Sequence, residues 1–127
     1  MDRKHKLLVN YKQNTYNRFT DMQLTGMKPA DFHILLALAE EPRHGYGLMK
    51  EVERESKGQV RLEIGSLYRF LARMVQSGLI EEAEEDERRR YYRITRQGRR
   101  ILKAEAERLA NLVELSRARR LISEGRT

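Results

Sequence analysis

The sequence predicts a mainly α domain that carries one β-hairpin and ends in a long C-terminal helix. Three observations lead there. Between residues 29 and 78 apolar residues recur three and four apart in three short blocks separated by proline and glycine, the period of amphipathic helices. From 79 to 94 the spacing changes to a β-favouring pattern broken by a charged turn. From 96 to about 122 helical spacing returns in a stretch whose only glycine is Gly98.

Residues 1–28 form a basic arm in which Leu7, Leu8, Val9, Tyr11, Tyr16 and Phe19 mix with Arg3, Lys4, Lys6, Lys12 and Arg18 without a single period. Three roles fit it: reaching along a DNA groove, packing on a partner subunit, or remaining a disordered tail. Pro29 suits the start of a helix because its missing N–H is not needed there. Phe32, Leu35, Leu36 and Ala39 then give a first helix over 29–40 its apolar face, and Pro42 stops it. Gly45 and Gly47 flank the start of a second helix, with Tyr46, Leu48, Met49 and Val52 on its apolar side and Lys50, Glu51, Glu53 and Arg54 opposite, ending near Ser56. Val60 to Glu63 has the composition of a short strand. From Gly65 a third helix turns Leu67, Phe70, Leu71 and Met74 inward and Ser66, Arg69, Arg73 and Gln76 outward, with Tyr68 at the boundary, until Gly78 closes it.

The hairpin follows, with Leu79 to Glu84 and Arg90 to Ile94 as strands around the turn Glu85 to Arg89. Thr95 is placed to cap a helix from Arg96 to about Ile122, some ~40 Å long at 1.5 Å per residue. Its stripe Leu102, Ala106, Leu109 and Val113 outruns a domain of three short helices, so part of it is expected to form a dimerisation surface; Leu112, Leu115 and Ile122 drift onto the adjoining face. Three short helices, a hairpin and a long helix in this order make a winged helix-turn-helix. The expected division is an arm over 1–28, a winged domain over 29–95 and a dimerisation helix over 96–127.

Composition bounds what such a domain does. With 127 residues, 39% hydrophobic and 35% charged, the chain has material for one modest core, which small domains commonly supplement by oligomerisation. There is no cysteine, which excludes disulfides and thiolate metal sites and suits a reducing cytoplasm. The longest apolar run, Ile34 to Ala39, has six residues, and the first residues lack a signal-peptide core, so a cytoplasmic protein without a membrane span is expected. The net charge is +7 and favours a polyanionic partner. It is unevenly spread: segments 1–28, 29–59, 60–80, 81–98 and 99–127 carry +4, −2, +2, −1 and +4.

Double-stranded DNA is the partner this arrangement suits. A third helix of this kind enters the major groove with its N-terminal residues, here including Ser66, at base edges. Arg69 and Arg73, spaced i, i+4, project from one side, where a guanidinium matches the O6 and N7 of guanine, and no acidic residue lies between Gly65 and Ile80. Both also fit as ordinary solvated helix arginines. Arg88, Arg89 and Arg90 fall at the hairpin tip, within reach of phosphates, although Glu81, Glu82, Glu84, Glu85, Asp86 and Glu87 precede them and equally suit a salt-bridged hairpin. Tyr68 is placed either to bond a phosphate or to pack beneath the recognition helix.

Enzyme readings find little support. His5, His33 and His44 fall on three different segments without metal-ligand spacing, and His44 suits the start of the second helix. Gly45-Tyr46-Gly47 lacks the third glycine and the preceding strand of a dinucleotide loop, and Ser66 lacks the turn of a hydrolase nucleophile. No catalytic residue, cofactor or metal is expected.

His44-Gly45-Tyr46-Gly47, Gly65-Ser66-Leu67-Tyr68, Gly78-Leu79-Ile80 and Tyr91-Tyr92-Arg93-Ile94-Thr95 with Gly98 stand in an order and spacing that resembles the PadR-type transcriptional regulators over about Phe32 to Leu121. The resemblance implies a homodimeric repressor with a pseudo-palindromic operator, dimerised by its C-terminal helix and released by a small aromatic or apolar effector. Phe32, Leu36, Leu109 and Val113 are candidate effector-lining residues, and they fit equally as core or dimer packing. Departures are also present. Arg69 follows Tyr68 where proline is common, Glu63-Ile64 replaces a frequent Ser-Pro pair, no tryptophan is available for indole stacking, and the single C-terminal helix is similar to the shorter members. The arm is longer than the resemblance accounts for. A winged protein-interaction module and a DNA-binding regulator without an effector are the alternatives.

Overall fold

The computed structural model describes residues 27–86 and 89–123. The basic arm before Met27 and the tip residues 87–88, Arg88 included, lie outside the described residues. Helix α1 spans Pro29–Glu40, β1 Arg43–His44, α2 Gly45–Glu55, α3 Ile64–Gln76, β2 Ile80–Asp86, β3 Arg89–Ile94 and α4 Arg96–Ala118. The fold is mainly α with a small antiparallel sheet in the order β1-β3-β2, a winged helix-turn-helix with a long last helix.

Helix α1 begins at proline without a side-chain cap, as a residue lacking an N–H permits. His44 caps α2: its Nδ1 accepts from the Gly47 amide at 3.3 Å, so this histidine sets a helix start. Helix α3 ends in a two-bond closure. Leu79 N–H donates to the Met74 carbonyl at 2.9 Å and Gly78 N–H to Val75 at 3.0 Å, with Gly78 at φ +79°. A residue with a Cβ is strained at that angle, which explains the glycine.

Ile34, Leu35 and Leu38 of α1, Leu48 and Val52 of α2, and Leu67, Leu71 and Met74 of α3 interlock with Leu79, Ile80, Tyr92, Ile101 and Leu102 in one core. Between α1 and α2, His33 Nδ1 lies 2.7 Å from Glu55 Oε2. The wing is held by the β2–β3 ladder and by cross-strand ion pairs, Arg93 to Glu81 at 2.8 Å and Arg90 to Glu82 at 3.4 Å.

Several expectations change. Residues 60–63 form no strand; the third strand is Arg43–His44, which pairs Arg43 with Tyr92 and His44 with Tyr91. Two residues carry no periodicity, so only the approach of β3 makes them a strand. Helix α3 starts one residue early, at Ile64. Helix α4 ends at Ala118 instead of near Ile122, because Arg120 turns to φ +59° and Leu121 N–H returns to the Ser116 carbonyl at 2.9 Å. Leu36 and Tyr46, assigned to apolar faces, are exposed. Leu102 is 6% exposed within a single chain, so it is a core residue and not part of a surface for a second subunit. The first turns of α4 lie on their own domain through Ile101, Leu102 and Glu105, whereas Ala106, Leu112, Val113 and Leu115 further along are exposed and Leu109 is half-buried.

Candidate nucleic-acid interface

Helix α3 presents its outer face between α2 and the wing. Glu63 precedes it without a side-chain cap, so the first amides of α3 keep no side-chain acceptor from Glu63. Arg69 Nη2 donates to Ser66 Oγ at 3.1 Å, which holds the guanidinium back over the first turn of the helix. These two expected residues are therefore brought together. Ile64, which the sequence reading left outside the helix, opens its first turn and is 50% exposed. Its signal in the sequence was an isoleucine that fits no apolar stripe.

Arg73 is set apart from Arg69. Its guanidinium lies over the Phe70 ring at 4.8 Å and 3.9 Å from Asp31 Oδ1 in the first turn of α1. Burial pushes the Asp31 carboxyl above the usual carboxylate range, while the charges of Arg73 and Lys28 oppose that shift. Arg73 thus ties α3 to α1 as well as facing outward.

Tyr68 packs against the start of α2 and is also open to solvent. It is half-exposed, and its hydroxyl sits so close to Gly45 that a Cβ there would lie 2.4 Å away. The missing side chain of Gly45 is what lets α3 approach the start of α2. On its other side Tyr68 lines an open groove of about 530 Å³ with Ala72, Val75, Gln76, Glu82, Arg90 and Tyr92. Burial, and secondarily the charge of Glu82, raise the Tyr92 hydroxyl above the ordinary phenol value. Arg90 is exposed on this groove while paired with Glu82. Of Arg89, the backbone in β3 is described. On α2, exposed Tyr46 carries Lys50 Nζ 5.2 Å from its ring centroid, an aromatic and cationic pair absent from the expected site.

Of the suggested effector-lining residues, Phe32 and Leu109 are half-buried, and Leu36 and Val113 are 41% and 40% exposed. Among the described residues no group of three or more His, Cys, Asp or Glu is placed to hold a metal ion, and no helix is long and apolar enough to cross a membrane.

The model of the transcriptional regulator PadR-like family matches residues 34–104, from the core of α1 to the third turn of α4. The chain belongs to that family. Solved structures similar to this PadR-like chain include a transcriptional regulator from Clostridium thermocellum, 28% identical with TM-score 0.60 over 69% of this chain and 86% of that one. A PadR-like transcriptional regulator from Bacillus cereus is 27% identical with TM-score 0.59, covering 75% of this chain and 93% of that one. An uncharacterized 37.1 kDa protein in a transposon of Streptomyces fradiae is 40% identical over 83 residues, which are 65% of this chain. The match spans 24% of that curated relative. The PadR-like region thus holds the last seven residues of α1, all of α2 and α3, and the wing, the elements that assemble the α3 surface.

Proposed function

We propose that this PadR-like chain is a homodimeric, sequence-specific DNA-binding transcriptional regulator, a repressor released by a small apolar or aromatic effector. The observation that carries the reading is the first two turns of α3, where Ser66 and Arg69 are joined by a hydrogen bond and Ile64 is exposed at the helix start, with no acidic residue from Gly65 to Ile80. In the major groove this places a guanidinium at the edge of a guanine. Tyr68 and Arg90 contact phosphates from the groove between α3 and the wing, and Arg88 and Arg89, which precede Arg90 in the sequence, are proposed to do the same. Lys50 does so from α2, and Arg73, tied to Asp31 of α1, does so from the outer face of α3.

Dimerisation follows from α4. Beyond Glu105 the helix leaves its own core with Leu112, Val113 and Leu115 exposed, and Leu121 and Ile122 beyond its end. Apolar side chains in such a row are stabilised by a second copy, with Ala106 and Leu109 completing the stripe. An effector acts only by its differential affinity for two arrangements of that dimer. Phe32 and Leu36 on α1, and Leu109 and Val113 on the part of α4 beyond Glu105, are where such a compound would be held.

The test is a titration of the protein against DNA from immediately upstream of its own coding region, with random DNA as competitor, at two salt concentrations. Saturable binding that survives competitor supports the regulator. Binding that salt abolishes equally for both DNAs, or no binding, overturns it and favours the protein-interaction module.

A further inference from the structure

The start of α4 carries a row of cations that neither the core nor the α3 surface uses. Arg96, Arg99, Arg100 and Lys103 are all exposed, and their i, i+3, i+4, i+7 spacing places them on one face over about 10 Å. Arg99 donates to the Ala39 carbonyl at 3.4 Å, at the C-terminal end of α1. The ion pairs within α4 among the described residues are Glu105 with Arg108 and Glu114 with Arg117, both further along the helix. Arg96, Arg100 and Lys103 therefore have no carboxylate partner among the described residues. Their position also runs against the helix dipole, which disfavours cations at an N-terminus, and the first turn of α4 contains no acidic residue. A stability role does not account for a row of three cations in that place.

The row is separate from the base-reading surface. Thr95 Oγ1 donates to the Gly78 carbonyl at 2.6 Å, so α4 begins at the C-terminal end of α3, about 18 Å of helix away from Ile64. We infer that Arg96, Arg100 and Lys103 form a second polyanion site, which holds the phosphate backbone of another segment of duplex DNA while α3 holds the operator. This rests on the DNA-reading function proposed above.

Duplex DNA fits the row better than an acidic polypeptide. A duplex carries a charge about every 1.7 Å along its axis, so a rigid row of about 10 Å always meets phosphates without requiring a sequence or register. Arginine adds forked hydrogen bonds suited to phosphate oxygens. A regulator already seated on a chromosome also meets neighbouring duplex at high effective concentration, so a weak site is sufficient. The consequence is bridging of two DNA segments by one regulator.

The experiment immobilises a duplex selected by the wild-type chain from a random pool, saturates it with protein, and measures retention of a second, labelled duplex of random sequence. Wild type should retain the second duplex with a steep salt dependence. Arg96→Gln/Arg100→Gln/Lys103→Gln should lose at least tenfold of that retention, with affinity for the selected duplex unchanged within twofold. The charge-preserving pair Arg96→Lys/Arg100→Lys should keep it. Equal retention by the glutamine variant, or no retention by wild type, overturns the second site, as does a parallel loss on the selected duplex. Retention of labelled polyglutamate in place of DNA also overturns it, in favour of an acidic protein partner. If no sequence is selected from the pool at all, the DNA-reading proposal fails first, and this one with it.

Discussion

A Cβ added to Gly98 would lie 2.0 Å from the carbonyl oxygen of Leu79. The first turn of α4 is therefore seated directly on the backbone that joins α3 to β2. Thr95 fastens the same junction: its hydroxyl donates to the Gly78 carbonyl at 2.6 Å and accepts from the Gly98 amide at 2.9 Å. The helix proposed to set the dimer and the helix proposed to read DNA meet at this junction.

Gly98→Ala should destabilise the fold by roughly 3 kcal/mol or more, because backbone on both sides of the contact has to shift. Thr95→Ala should cost about 1–2 kcal/mol through the lost cap. Urea denaturation monitored by circular dichroism measures both. A Gly98→Ala protein with the wild-type midpoint would disprove the close approach.

Arg69→Ala should relax base preference at one position of the selected site and weaken operator binding by about 1–3 kcal/mol. An unchanged ratio of operator to random DNA affinity would refute base reading by Arg69. Lys50→Ala should instead weaken all sequences alike and lower the salt slope by about 1.

Glu82→Gln should strengthen DNA binding without changing sequence preference. The substitution removes a negative charge from the groove and frees Arg90, now 3.4 Å from Glu82, for a phosphate. Competition binding at two ionic strengths reads this out, with the larger gain expected at low salt. A loss of affinity would place the Glu82–Arg90 pair itself in the DNA complex.

Leu109→Asp combined with Val113→Asp should yield folded monomers in sedimentation, because these residues lie where α4 has left its own core. Leu102→Asp should unfold the chain, since Leu102 is buried in the single-chain core and an unpaired charge there is strongly destabilising. A dimer that survives the double substitution would move the interface elsewhere.

Glu105 supplies a pH dependence. Its buried carboxylate bonds Arg108 at 2.6 and 2.9 Å and accepts from the Met27 amide at 3.2 Å. The Arg108 hydrogen bond chiefly, helped by the Met27 amide, holds its pKa below the usual carboxylate value against the effect of burial. A lowered folded-state pKa contributes stability that is complete above the unfolded value, near 4.5, and is lost as pH falls through the lowered value. Glu105→Gln should therefore cost roughly 1 kcal/mol at neutral pH and nothing once both states are protonated. A difference that stays constant down to acid pH would assign the effect to packing.

Much of the fold was legible because its signals are local. Pro29 before Phe32, Leu35 and Ala39, Gly78 after Met74, and Thr95 before Gly98 each mark a helix end by backbone chemistry that neighbouring residues supply. The α3 surface was legible for the same reason, since Ser66 and Arg69 are one turn apart on one helix. The errors share another origin. β1 exists only because Arg43 and His44 meet Tyr92 and Tyr91 of a distant strand. Leu102 and Val113 sit on one continuous stripe, and nothing in their spacing says where the domain beneath them ends.

The sequence by itself determined the order of elements, the helix caps, the polyanion-seeking charge and the family motifs, because all of these depend on residues within a few positions of one another. Tertiary structure alone decided which part of α4 is core and which is free, that Arg73 turns toward Asp31 while Arg69 stays with Ser66, and that Gly45 and Gly98 are sites of close approach. Those facts depend on which surfaces meet across the chain, and a one-dimensional period does not carry that information.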